Sequence, residues 1–131
     1  MKERRPDPRQ ELHKTVAAWL AVMIPKPPLG PFVCAIDPAP AKAAKPRALR
    51  RVLGAKPGMP EILLVWQGRP IFIALSPPGG VPDMQRRLRV LEIGQSGGAV
   101  VLCAALADVI DFVRRAGIPT VAADAYRKVV A

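Results

Sequence analysis

The sequence is poor in the residues from which covalent frameworks and metal centres are built. Its 131 residues contain two cysteines, one histidine and ten acids, against twenty lysines and arginines. Cys34 and Cys103 are far apart and lack a CxxC partner or a histidine-rich context. A disulfide and a thiolate zinc site are therefore not expected, and both thiols are read as buried groups. His13 has no Ser, Cys or Asp partner at a motif spacing, so nucleophilic catalysis finds no support. Gly79-Gly80 lacks the GK[ST] ending of a phosphate loop. Aromatic residues are scarce, and Trp19 and Trp66 are read as core rather than as base-stacking platforms. No apolar run approaches the roughly 18 residues of a membrane span. The N-terminal MKERRPDPRQEL lacks an apolar segment with a cleavage site, so no signal peptide is read and a cytoplasmic setting is expected.

What is present is an apolar half and a strong positive charge. Hydrophobic residues make up 50% of the chain, enough for one domain with a core. The net charge of +10 favours a polyanionic partner, above all nucleic acid. Prolines cluster between Pro25 and Pro60, which predicts a loop-rich region.

Residues 1–8 read as a flexible basic arm. A helix is predicted from about Arg9 to Ile24, because Leu12, Val16, Trp19, Leu20 and Met23 share one face. Phe32 to Ile36 is a short strand. Asp37 to Pro46 is a basic low-complexity loop, and Arg47 to Leu53 a short basic helix ended by Gly54. Ile62 to Trp66 and Ile71 to Leu75 are two near-continuously apolar strands joined at Gln67-Gly68, a pattern that predicts a central sheet covered on both faces. Pro82 suits the first turn of a helix reaching about Ser96, with Met84, Leu88 and Leu91 inward and Arg86, Arg87 and Arg89 on other faces. Gly97-Gly98 ends it. Ala99 to Cys103 is a third core strand, and Leu106, Val109, Ile110 and Val113 mark a last amphipathic helix closed by Gly117 and Pro119. Residues 120–131 form a tail or short helix. A helical crossover into the Ala99 strand implies parallel pairing, so an α/β fold with a mixed central sheet flanked by helices is expected over 9–119.

The segment from Lys56 to Gln85 carries the most specific pattern: a Gly-Met-Pro turn, a strand, a tight turn, a second strand, a Gly-rich loop and a helix bearing Gln85. It resembles the VRR-NUC family of the PD-(D/E)xK nuclease superfamily, which writes this segment as G-x-P-D, strand, turn, strand ending E-x-K, Gly-rich loop, and helix with Gln. The likeness extends from about Leu12 to the Gly117-Ile118-Pro119 ending. It implies a restriction-endonuclease-like fold and Mg²⁺- or Mn²⁺-dependent phosphodiester hydrolysis. Here Glu61 stands at the first acid, Ala74 at the second, Ser76 at the lysine, and Gln85 at the glutamine.

In the family logic, two carboxylates from facing strands hold a hard divalent ion, which lowers the pKa of bound water and clamps phosphate oxygens. The lysine orients or activates that water. Ala74 cannot bind metal, Ser76 cannot act as an ammonium, and Glu61 reaches one methylene further than Asp. Loss of a proton-transfer group alone costs about 10²–10⁴-fold. The resemblance therefore implies a degenerate site in which Glu61, as the remaining metal ligand, and Gln85 are the residual catalytic positions. Asp83, Glu11 and Glu92 are possible substitute acids. Asp83 also reads as a first-turn residue complementing a helix dipole, and Glu11 and Glu92 as solvated residues. Arg47, Arg50, Arg51 and Lys56 form one basic run, with Arg86 and Arg87 in a second, and both are expected to contact phosphates. Three readings stay open. The chain binds DNA or structured nucleic acid with weak or absent nuclease activity. It is an active nuclease with a rearranged acidic site. Or it is a pseudo-nuclease serving protein interaction, with a homodimer as one form.

Overall fold

The computed structural model describes residues 7–36, 52–54, 56–78 and 84–121. The basic arm up to Pro6, the loop from Asp37, the run Arg47 to Arg51, Asp83 and the tail from Ala122 lie outside the described residues. Helix α1 spans Pro8–Met23. Asp7 caps it, its Oδ1 accepting the Arg9 N–H at 3.0 Å, and Pro8 occupies the first turn, where its missing N–H costs nothing. Its buried face is Val16, Trp19, Leu20 and Met23, the stripe that the sequence predicts.

Four strands follow the expected order: β1 (Phe32–Ala35), β2 (Ile62–Trp66), β3 (Arg69–Leu75) and β4 (Ala99–Cys103). They form one sheet in the order β1-β2-β3-β4. β1 with β2 and β2 with β3 are antiparallel, while β3 with β4 is parallel. The β2–β3 connection is two residues, Gln67 and Gly68, with φ of 52° and 76°. Two consecutive left-handed residues make the primed turn whose twist matches a hairpin. Helix α2 (Met84–Gln95) crosses from β3 to β4, and α3 (Leu106–Arg115) follows β4. The Asp108 carboxylate accepts the N–H groups of Ala104 and Ala105 at 2.9 and 3.1 Å, satisfying donors at the start of α3.

One sheet face carries the core. Ile62, Leu64, Ile71, Ile73, Leu75 and Cys103 alternate onto it and meet Val16, Trp19 and Leu20 of α1 and Val109 and Val113 of α3. Fully burying one such Leu or Ile side chain contributes about 1.5–3 kcal/mol. The two short helices and the sheet therefore hold each other through this layer.

The opposite face corrects two expectations. Apolar strands predict cover on both sides, and the cover of that second face is only partial: Glu61 and Ala74 on it are buried, while Phe32, Val65 and Leu102 are 54%, 39% and 50% exposed. Helix α2 packs beside β4 and contributes no side chain to the core cluster. Its orientation is also reversed from the expected one. Met84, Leu88 and Leu91 are 72%, 49% and 56% exposed, whereas Arg86 is buried. The cause is the turn at Gly58, which fixes the helix by contacts on the side opposite that stripe.

Candidate functional site

The hairpin register places the two positions expected to carry the motif's acids face to face. Ile62 pairs with Ile73, so the residues one step outward, Glu61 and Ala74, are opposite each other. Ser76 lies two residues beyond Ala74 on the same face, and its N–H extends the β3–β4 ladder to the Cys103 carbonyl at 2.8 Å. The Glu61 carbonyl accepts the Ile36 N–H at 2.8 Å, tying this point to the end of β1. Glu61 is only 4% exposed, and Ala74 is fully buried.

The preceding turn sets where α2 lies. Gly58 has φ of +80°, and a Cβ there would stand 2.5 Å from the Gln85 carbonyl and 2.7 Å from the Arg86 nitrogen. Only a glycine lets the turn lie directly on the helix backbone at this point. The Arg89 Nε–H donates to the Pro57 carbonyl at 2.9 Å, and Arg89 also pairs with Glu92 on its own helix. These contacts turn the Arg86 side chain inward.

There it meets Glu61. One Arg86 terminal nitrogen donates to Glu61 Oε2 at 2.7 Å, and the second closes on Oε1, giving a two-pronged pair. Glu61 Oε2 also accepts the Leu75 N–H at 2.7 Å. Oε2 thereby accepts two hydrogen bonds, Oε1 lies in the ion pair with Arg86, and both charges are shielded from solvent.

The remaining expected site residues divide by exposure. Gln85 is exposed at the start of α2, with its backbone beneath Gly58. Lys56, two residues before Gly58, and Arg87, next to Arg86 on α2, are exposed. Arg86, expected at a phosphate, is instead buried on Glu61, because the junction turns it inward. Arg47, Arg50 and Arg51 lie outside the described residues. Among the substitute acids, Glu11 is on the surface, 3.4 Å from Lys14, and Glu92 is held by Arg89. His13 lines an apolar hollow between α1 and β1 with Ala17, Leu20 and Cys34, and Glu61 is not among its walls.

The residues present do not fit a divalent ion. Such an ion asks for carboxylate oxygens open on one side. Glu61 turns both oxygens to Arg86 and Leu75, and Ala74 has none to offer. Among the described residues no group of three His, Cys, Asp or Glu side chains is placed to hold a metal.

Both thiols are free; Cys103 is buried as expected, whereas Cys34, also expected to be buried, is exposed on the edge strand β1. Burial, with the Asp108 carboxylate adding to it, pushes the Cys103 thiol up from 9.0 to about 11. It is a core group rather than a reactive one.

Sequence reasoning missed the Glu61–Arg86 pair. The available signal was arithmetic: with Ala74 in place of the second acid, one buried carboxylate needs one cation, and Arg86 follows Gln85 directly. The apolar pattern of Met84, Leu88 and Leu91 pointed to the other face and hid it.

No protein-family model matches this chain, and no curated protein matches it. Among solved structures it is similar to a protein described as a VRR_NUC domain protein, at 16% identity and a TM-score of 0.57. The match covers 81% of this chain and 84% of that one. The mixed sheet, the facing positions Glu61 and Ala74 and the helix bearing Gln85 are thus set on the fold of a VRR_NUC domain protein.

Proposed function

We propose that this chain is a VRR-NUC family domain that binds nucleic acid, DNA in particular, and has weak or absent phosphodiesterase activity. The observation that carries the reading is the junction between the Gly58 turn and α2. It buries Arg86 on Glu61, while Lys56 and Arg87, close in sequence to Gly58 and Arg86, are exposed. The position that would hold reacting groups is filled from within, and the exposed Lys56 and Arg87 are offered to a phosphate backbone. The net charge of +10 supports a polyanionic partner, and the fold likeness supports a nucleic acid. Arg47, Arg50 and Arg51 would add to the basic surface. Contacts of this kind read backbone rather than sequence and weaken steeply with salt.

The test is incubation with branched and single-stranded DNA in Mg²⁺ or Mn²⁺, beside binding titrations over a range of salt. Salt-sensitive binding without metal-dependent cleavage is expected. Cleavage that Glu61→Ala abolishes would overturn the reading.

One observation favours a second reading, a pseudo-nuclease that pairs with a protein, including a second copy of itself. Met84, Leu88 and Leu91 form an exposed apolar stripe on α2, and Leu102 is half exposed on β4, the strand beside it. Sedimentation over a concentration range distinguishes the two: a mass of one chain throughout speaks against self-association.

A further inference from the structure

We infer that Arg86 is a built-in cation that has taken the place of the divalent ion at Glu61, closing the site to metal. The inference deepens the degenerate-site reading and rests on it only for where the ion belonged.

Three observations converge. Both Glu61 oxygens face the Arg86 fork, and one of them also takes the Leu75 N–H at 2.7 Å. A carboxylate arranged in this way presents no open side to a metal ion. The opposite strand position is Ala74, fully buried, so the space a second carboxylate would need is held by a methyl group. Finally, Arg86 is aimed by backbone rather than by chance of rotamer, because Gly58 rests on the Gln85 and Arg86 backbone atoms.

Charge accounting explains why these changes belong together. Two carboxylates carry a charge of minus two and suit a doubly charged ion. Ala74 leaves one carboxylate, and a single guanidinium balances it. A buried carboxylate without either partner is strongly disfavoured. The fork also matches carboxylate geometry in a way that a lysine would not. Arg86 is therefore a positioning residue for the turn–helix junction and a guard of the site, not a catalytic residue.

The experiment is Mn²⁺ binding to the full chain, followed by electron paramagnetic resonance, with circular dichroism as the check on folding. Wild type should hold no Mn²⁺ that Glu61→Gln removes. Ala74→Asp with Arg86→Gln should bind one ion, lost on adding Glu61→Gln. Ala74→Asp alone, with Arg86 in place, should bind it weaker by about tenfold or more. A Glu61-dependent ion in wild type, equal affinity with and without Arg86, or no ion in a folded double variant overturns the inference. If the Ala74→Asp variants do not fold, Arg86→Gln alone carries the test through its melting temperature. That temperature should rise with Mg²⁺ beyond the effect of NaCl at matched ionic strength, while wild type responds to both salts alike. A variant without that selective rise, or a wild type that shows it, overturns the inference. Nucleic-acid binding is read separately from its salt dependence, so a chain that binds no DNA would sink the proposed function and leave this result standing.

Discussion

Glu61 and Arg86 are two charges taken out of water together, and neither is tolerable there alone. Removing one partner of a buried pair costs about 3–5 kcal/mol, because the other is left uncompensated. Arg86→Ala should lower the unfolding free energy by that amount in urea titrations. Glu61→Gln with Arg86→Met removes both charges and leaves an oxygen to accept the Leu75 N–H. It should recover most of the loss, and a double variant as unstable as Arg86→Ala would contradict the pair as the cause. Cys103 gives a pH dependence with a definite sign. Its thiol is raised from 9.0 to about 11 in the fold by burial and by Asp108. The native state thus favours the protonated form more than the unfolded chain does. That contribution is fully present below pH 9, and is lost as pH climbs through about 11. Denaturation midpoints should fall across that window in wild type and fall less in Cys103→Ala. In native protein at neutral pH a thiol reagent should titrate Cys34 alone, with Cys103 appearing on unfolding.

At the scale of elements, the hairpin, α1, β4 and α3 were legible because their apolar periods are decided by a single dominant burial surface. Val16, Trp19, Leu20 and Met23 on α1, and Val109 and Val113 on α3, went where the pattern sent them. The facing of positions 61 and 74 followed from a two-residue turn that fixes the register. Helix α2 was not legible, since its orientation is set by partners distant in sequence. The Arg86–Glu61 pair, the Arg89–Pro57 bond and the Gly58 approach outweigh its apolar stripe. Two substitutions separate these causes. Gly58→Ala must hold a left-handed residue and also displace the α2 backbone, so it should cost more than the about 1–2 kcal/mol of left-handed strain alone. Leu88→Gln on the exposed stripe should change stability by no more than about 0.5 kcal/mol. The opposite ranking in thermal or urea unfolding would mean that α2 is packed by its apolar face after all.

At the scale of the molecule, the chain has the fold of a VRR_NUC domain protein, a net charge of +10, and a buried carboxylate, Glu61, paired with its own arginine. Composition made the excess of positive charge readable, because net charge needs no geometry. The pairing was not readable, because it depends on how one helix is rotated over one turn. If Lys56 and Arg87 contact phosphates, each alanine substitution should reduce the slope of log affinity against log salt by about one. Arg86→Gln should leave that slope unchanged, since its charge is committed to Glu61. The most direct measurement is the affinity of a labelled branched DNA, by fluorescence anisotropy, in EDTA and in Mg²⁺ at constant ionic strength. The expected result is the same dissociation constant in both, with the DNA intact. Binding that disappears in EDTA, or DNA that is cut in Mg²⁺ by wild type and not by Glu61→Ala, would contradict it.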